Sequence, residues 1–342
     1  MSFKRLDQQD IVISADSVTA PAWTGNVVSL TSFYSSSAQA SGISGDYYLN
    51  VYQAAYGSSN AAIQFSVGFG HLKGSGSADL NTQIDGNSPS KIVYGQYRTL
   101  VNGTEEENLS FASYTPNSIY PIAVERARFK EKILPGSLTL KLKKGSASIV
   151  LTDDSNYVST QTFTDAGRVF NIISGSAGTR TSAASAVDSG DLGYTNGYGS
   201  YGLLLPDAGL IILNGDALDA SSGAGGIGLT TGVTNTDEEN PKKIVDALNA
   251  GGQFTLRSEE TVSSNYVFIR ARNSEFNYST NPSNITGSGE LRHNVMIDSP
   301  QAYITAVGLY NDNNDLLAVA KLSRPLLKDF TKEALIRIKL DY

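Results

Sequence analysis

Alternating hydrophobic and polar positions predict that this chain is built from short strands joined by tight turns. Residues 47–56 and 61–69 flank Gly57, Ser58, Ser59 and Asn60, a sequence typical of a hairpin turn. The second run should place one apolar face in a core, formed by Ile63, Phe65, Val67 and Phe69. Further strands are predicted at 138–142, 146–151, 168–173, 203–205, 210–213, 254–257, 262–272 and 302–310. The fold class expected from these runs is mainly β, with several antiparallel sheet modules.

One or two short helices interrupt the strands. Asn240 and Pro241 form an N-cap followed by proline at the first helical position, and Gly251 follows the apolar positions, so we predict a helix over 241–250. A second helix is predicted to begin at Ser88 and Pro89 and to end at Asn102 and Gly103.

Two stretches have the composition of loops. Residues 174–202 are dominated by Gly, Ser, Ala, Thr and Tyr, and either a disordered linker or an ordered contact loop fits them. Residues 216–236 are similarly poor in core-forming side chains. We therefore predict three modules: a β-rich module at 1–115, a turn-rich β module at 116–252 containing the helix near 241–250, and a C-terminal sheet at 253–342 with a hairpin over 302–322.

Composition removes several classes of function. The chain has 342 residues, no Cys, two His and a net charge of −7. Thiolate metal sites, disulfide scaffolds and cysteine nucleophiles are thus impossible. The acidic balance argues against nucleic-acid binding, which needs a basic face. No apolar stretch approaches the ~20 residues of a membrane span, and the first ten residues lack a signal sequence, so synthesis in a cytoplasm and no membrane insertion are expected.

A glycine motif and an acidic turn are candidate binding sites. Residues 223–228 match G-x-G-x-x-G, but the motif binds dinucleotides only between a strand and a helix, and a turn-rich loop is expected instead. Residues 311–315 read NDNND, without the glycine and glutamate of a calcium loop, and are predicted to be a hairpin turn.

The ionisable side chains suggest no catalytic group. Asp153 and Asp154, like Glu259 and Glu260, are adjacent acids that point to opposite faces of a strand, so solvated charge is the expected state. His71 and His293 are expected to be surface or internally satisfied histidines. We predict no catalytic residue, no cofactor and no metal site.

The C-terminal part carries a family resemblance. Residues 267–282 read VFIRARNSEFNYSTNP, 300–312 read PQAYITAVGLYND and 316–326 read LLAVAKLSRPL. These segments resemble virion structural proteins of contractile-tailed, T4-like phages, above all those of cyanobacterial phages. The hairpin alone is similar to a module of tail-fibre and baseplate proteins in many phages. The resemblance extends to 3–7, 10–13 and 124–137.

The resemblance implies a non-enzymatic structural component of a phage virion, in the tail baseplate, made in the host cytoplasm. Its partners would be other baseplate or tail subunits, with copies of itself as a further candidate. One alternative is a neck or head-decoration protein. Another is a module that binds host glycans by stacking Tyr side chains and Trp23 on sugars, and a third is a polysaccharide-degrading enzyme with two converging carboxylates.

The C-terminal strands are apolar on both faces. In the first, Ile304, Ala306, Gly308 and Tyr310 would share one face and Thr305, Val307 and Leu309 the other. Residues 335–340 would add a third strand. Such a sheet is either central to its own domain or covered by neighbouring subunits. The mixed-charge loop 324–333 suits the polar rim of a contact. The candidate assembly contacts are Tyr194, Tyr198, Tyr201, Arg324, Lys328 and Phe330.

Overall fold

A computed structural model describes residues 3–35, 48–77, 88–111, 114–182, 200–232 and 239–341. The chain is mainly β, with 44% strand, 15% helix, antiparallel sheets and four short helices among these residues. The predicted fold class is confirmed.

The chain forms two compact units. The terminal unit comprises residues 1–17 and 261–342, and the central unit comprises residues 18–260. The boundaries fall inside two long strands, β1 (Ile11–Pro21) and the strand Arg257–Ala271. Neither predicted boundary, near 115 or near 252, coincides with them.

A 14-stranded sheet dominates the central unit. Its first seven strands are β2 (Ser29–Leu30), β3 (Tyr34–Ser35), β4 (Tyr48–Tyr52), β5 (Ile63–Gly68), β6 (Gly70–His71), β7 (Ser118–Val124) and β9 (Thr139–Lys144). Strand β8 (Lys132–Ile133) lies outside this sheet. The others are β10 (Ala147–Asp153), β11 (Thr162–Thr164), β12 (Gly167–Ser176), β13 (Thr179–Arg180), β14 (Gly202–Leu205), β15 (Leu210–Asn214) and β16 (Gln253–Thr255).

The strand order places residues from both sides of position 115 in the same sheet. The main path runs β2-β16-β9-β10-β12-β14-β15-β7-β5-β4-β3. The predicted hairpins β4-β5 and β9-β10 are present and antiparallel. Because β5 pairs with β7, and β2 with β16, the sheet joins segments that are far apart in the sequence.

Both predicted helices are present. Helix α1 (Pro89–Asn102) begins with proline and ends at Gly103, whose left-handed φ of 72° stops the helix. Helix α2 (Gly215–Asp219) is short, and the side chain of Asn214 caps it by accepting N–H groups of Asp216 and Ala217.

Helix α3 (Asn240–Asn249) begins one residue earlier than predicted, and Asn240 is not its cap. The Asn240 side chain is buried, donates to the carbonyls of Gly76 and Gly232 and accepts the Gly232 N–H. Asn240 therefore joins two loops instead of closing the helix end.

The middle strands of the sheet are buried on both faces. Ile212 of β15 and Leu203 and Leu205 of β14 pack with Tyr94 and Val101 of α1. The alternate residues Leu204, Ile211 and Leu213 face the larger core, to which α3 contributes Ile244, Val245, Ala247 and Leu248. Residues 216–236, which are poor in core-forming side chains, still bury Ala217, Leu218, Ile227 and Leu229 in that larger core.

The terminal unit contains β17 (Arg257–Ala271) from residue 261 onward, helix α4 (Asn294–Asp298), β18 (Ala302–Tyr310), β19 (Leu316–Lys328) and β20 (Ala334–Asp341). Strand β20 pairs with β17 from Ser264 opposite Asp341 to Ala271 opposite Ala334. The prediction that 335–340 joins the hairpin as a third strand is therefore wrong. The hairpin β18-β19 is a separate two-stranded sheet that packs against Val267, Ile336 and Ile338.

Candidate assembly surface

An irregularity in β19 divides the C-terminal hairpin. Ile304 lies opposite Leu326, yet Ala306, two residues on, lies opposite Lys321, five residues back. The extra residues on β19 include Arg324 and Pro325. Proline has no N–H to donate to the ladder, which is why it occurs at bulges.

The irregularity changes which side chains share a face. Ile304, Val307 and Leu309 all pack in the terminal unit's core, together with Ala320, Leu322 and Leu326. The predicted grouping of Ile304 with Gly308 and Tyr310 is thus wrong. A strict alternation cannot hold across a bulge, because the extra residues reset the side-chain direction.

The opposite face of the hairpin is apolar and exposed. Leu317 and Val319 are 68% and 61% exposed, and Tyr303 is 63% exposed. Gly308 lies opposite Val319, and a methyl group on Gly308 would come within 2.8 Å of the Tyr310 ring and 3.3 Å of Leu316. Gly308 therefore leaves room for these two side chains over the strand. The Phe3 ring packs edge-on against Tyr310, with the ring centroids 5.3 Å apart, while Tyr303, Leu317 and Val319 stay largely exposed.

The hairpin also presents open strand edges. Within the part of the chain that the structure describes, β18 pairs only with β19, and β19 only with β18. The outer N–H and C=O groups of both strands can therefore accept an added strand from another chain.

Of the predicted contacts, Arg324 and Phe330 lie at the surface of the terminal unit. Arg324 is exposed at the irregular part of β19, and Phe330 is exposed in the turn before β20. The mixed-charge loop is shorter than predicted, because β19 continues to Lys328 and only residues 329–333 connect it to β20.

Lys328 is fully buried, so it does not lie on a contact surface. Its Nζ donates to Asn277 Oδ1 at 2.7 Å, to the Asp329 carbonyl at 3.0 Å and to the Asn273 carbonyl at 3.2 Å. This lysine anchors residues 273–277 to the end of β19.

The predicted tyrosine contacts and the tryptophan fall elsewhere. Tyr194 and Tyr198 lie outside the described residues. Tyr201 is 2% exposed, belongs to the larger core and donates its hydroxyl to the Gly225 carbonyl at 2.7 Å. Trp23 is also buried, and its Nε1 donates to the Phe254 carbonyl at 2.9 Å. Neither ring is available for stacking on a sugar.

The two turn motifs have the predicted structures. Residues 311–315 form the β18-β19 turn, in which Asn311 Oδ1 accepts the Asp315 N–H at 2.7 Å and Asn314 takes a left-handed φ of 64°. The glycine motif contains a 3-10 turn at Ser222–Ala224 and continues as loop through residue 232.

The acid pairs are not simply solvated. Glu259 lies 3.8 Å from the Lys132 Nζ, and Glu260 lies 2.8 Å from the Lys130 Nζ. Asp154 accepts the N–H and the side-chain amide of Asn171, and Asp153 is fully buried. The prediction of solvated charge is therefore wrong for Asp153.

His71 is buried and its ring is hydrogen-bonded inside the protein, which is one of the two states expected for it. Its Nδ1 accepts the N–H groups of Lys73 at 3.1 Å and Ser75 at 3.2 Å, which fixes the proton on the other ring nitrogen. Burial lowers the pKa of His71; the charge of Asp216 raises it and that of Lys73 lowers it further. His293 is exposed.

The lowered pKa makes stability depend on pH. Above about pH 6.5, the ordinary pKa, the neutral ring supports the fold, and this contribution is lost as pH falls through the lower folded pKa. We expect wild type to lose more unfolding free energy between pH 8 and pH 5 than His71→Asn, whose side-chain oxygen still accepts but does not titrate. Urea unfolding at both pH values measures this. His293→Asn, the matched control, should follow wild type; equal pH dependence in all three proteins would contradict the role of His71.

Comparison with models of protein families, with curated proteins and with solved structures finds no match for this chain. Within the described residues, no helix has both the length and the apolar character to cross a membrane. Those same residues contain no group of three or more His, Asp or Glu side chains placed to hold a metal ion.

Proposed function

We propose that this chain is a non-enzymatic structural component of a phage virion, in the tail baseplate, and that it joins neighbouring subunits. The sequence resemblance to T4-like virion proteins supports the identity. The observation that carries the joining role is the exposed apolar face of β18-β19, formed by Tyr303, Tyr310, Leu317 and Val319.

Physical chemistry favours a covered state for this face. Apolar surface gains roughly 25 cal/mol for each Å² removed from water. Open strand edges beside it offer backbone hydrogen bonds to the same neighbour. Exposed Lys321 and Arg324 lie on this hairpin, so the matching part of the neighbour would be acidic.

The test replaces Leu317 and Val319 together with aspartate. Both side chains are exposed, so we expect the free energy of unfolding to change by less than about 1 kcal/mol. Incorporation into particles should fall at least roughly tenfold, because two charges would be buried at the contact without partners. Quantitative mass spectrometry of purified particles measures incorporation. Point substitutions are preferable to deleting 324–342, since that deletion removes β20, which pairs with β17 along eight residues.

Phe163→Asp provides the matched control. Phe163 is 67% exposed on β11 in the central unit, so it tests an exposed apolar side chain away from the hairpin. It should be incorporated like wild type. Normal incorporation of the double variant would contradict the hairpin contact alone. Absence of the wild-type chain from particles, or its location at the neck or head by cryo-electron microscopy, would contradict the baseplate assignment.

A further inference from the structure

Asp153, the last residue of β10, is a buried carboxylate without a cationic partner among the described residues. It is fully buried, and its Oδ1 accepts the N–H of Gly136 at 2.8 Å and of Ser155 at 3.3 Å. Its Oδ2 has no hydrogen-bond partner. A carboxylate removed from water costs several kcal/mol unless it is paired or coordinates an ion.

The next residue along the chain is also acidic and adds to the imbalance. The neighbouring Asp154 is half-buried, and its carboxylate accepts the N–H and the side-chain amide of Asn171. Two acidic groups thus lie side by side in this turn. A bound cation would compensate both.

Other oxygen atoms converge on the same place. The Ser155 Oγ is buried and also has no partner. A methyl group built on Gly136 would lie 3.2 Å from Asn156 Oδ1 and 3.4 Å from Ser155 Oγ and Asn156 Nδ2, and one built on Gly178 would meet Asn156 Nδ2 first and lie 2.9 Å from the Gly136 carbonyl oxygen. The Asn156 Nδ2 donates to the Gly178 carbonyl at 3.1 Å, so Oδ1 is the amide atom left for an ion. The turns at 134–137, 153–157 and 176–179 therefore bring oxygen atoms together around Gly136.

We propose that Asp153, Ser155, Asn156 and the Gly136 carbonyl bind a calcium ion. All four groups offer oxygen, the donor that Ca²⁺ prefers, and Ca²⁺ tolerates irregular geometry completed by water. Asn156 is exposed, which gives the ion a path from solvent. Because only one carboxylate coordinates directly, we expect weak binding, with a dissociation constant of about 0.1–1 mM, in the range of low-charge calcium sites.

Thermal unfolding of the full chain, first dialysed against EDTA, tests the proposal. Addition of 5 mM CaCl₂ should raise the unfolding temperature by about 2–4 °C, whereas sodium chloride of equal ionic strength should not. Asp153→Asn keeps the oxygen that accepts from Gly136 and Ser155 but lacks the charge, so its calcium shift should disappear. Isothermal titration with CaCl₂ should show the same loss.

Two further variants separate coordination from general attraction of charge. Ser155→Ala removes an oxygen that has no hydrogen-bond partner, so it should unfold with wild type in EDTA and show a reduced calcium shift. Asp154→Asn removes a charge whose oxygens are already bonded to Asn171, and it should keep most of the shift. If Asp153→Asn does not fold, Ser155→Ala carries the test.

Three results would overturn the calcium site. The first is a wild-type unfolding temperature that calcium does not change, as expected if only ordered water satisfies Asp153. The second is an unchanged shift in both Asp153→Asn and Ser155→Ala. The third is an equal loss of the shift in Asp154→Asn and Asp153→Asn, which would indicate diffuse attraction to an acidic turn.

Discussion

Replacing Phe65 with alanine is expected to lower the free energy of unfolding by about 3–5 kcal/mol, the range for buried aromatic side chains. Phe65 is fully buried in β5. Its ring centroid lies 5.1 Å from that of Phe254, 6.0 Å from Trp23 and 6.3 Å from Phe33. Truncation would leave a cavity between three rings that come from distant parts of the sequence.

Trp23 makes the measurement direct. It is the single tryptophan of the chain and contacts the substituted position, so its fluorescence during urea unfolding reports on this cluster. Phe163→Ala is the control, because Phe163 is 67% exposed and should change stability by less than about 0.5 kcal/mol. A Phe65→Ala protein within 1 kcal/mol of wild type, with an unchanged denaturant slope, would contradict the packing described for this core.

Local signals in the sequence were sufficient for the two long helices and for the β4-β5 and β9-β10 hairpins, but not for β1, β7 or the two five-residue helices. Proline at the first helical position and glycine after the last residue marked α1, and Gly57 to Asn60 marked the β4-β5 turn. Each signal acts within a few residues, since it fixes backbone angles or satisfies the ends of one helix. Hairpins were predictable for the same reason.

Pairing between distant strands was not predictable from such signals. Strand β20 alternates apolar and polar residues, as Ile336 and Ile338 are buried and Leu335 and Arg337 exposed. That pattern fits any sheet with one covered face and does not choose between β17 and the hairpin. The pairing of β2 with β16 brings together residues more than 220 positions apart, which no periodicity encodes.

The exposed hairpin face was partly predictable. The sequence indicated that both faces of β18 are apolar and therefore need cover. In the described residues one face packs in the core, and the other is largely exposed apart from the contact of Tyr310 with Phe3. The irregularity between Ile304 and Ala306 could have been suspected from Pro325, which cannot donate to a ladder. Its effect on which side chains share a face depends on the register with Lys321, which only the fold defines.

The burial of Lys328 and Asp153 was not predicted from the sequence. Lysine and aspartate are almost never fully buried unless paired, so surface positions were expected for Lys328 and Asp153. Lys328 is held inside by oxygens of residues 273–277 and by the Asp329 carbonyl. No local pattern around position 328 predicts hydrogen-bond acceptors on Asn273 and Asn277, which lie more than 50 residues earlier in the chain.

Replacing Lys328 with methionine is expected to lower the free energy of unfolding by about 3 kcal/mol. Methionine retains the apolar length of the chain but leaves the buried Asn277 Oδ1 without its donor. The carbonyls of Asn273 and Asp329 lose the charged donor and keep only the Asn277 amide and the Lys332 N–H, respectively. Hydrogen bonds to a charged group contribute about 1.5–3 kcal/mol each, and a buried acceptor left unpaired costs about 1–3 kcal/mol. Water entering the site offsets part of that sum.

Arg324→Met separates burial from loss of charge, because it removes the same charge from an exposed position of the same strand. We expect Arg324→Met to unfold within about 0.5 kcal/mol of wild type in urea, followed by circular dichroism. Its incorporation into particles should fall if Arg324 contacts a neighbour, whereas Lys328→Met should lose stability before any assembly step. If the two variants are equally stable and only Lys328→Met fails to be incorporated, Lys328 would be assigned to the contact surface. That result would contradict its role as an internal anchor.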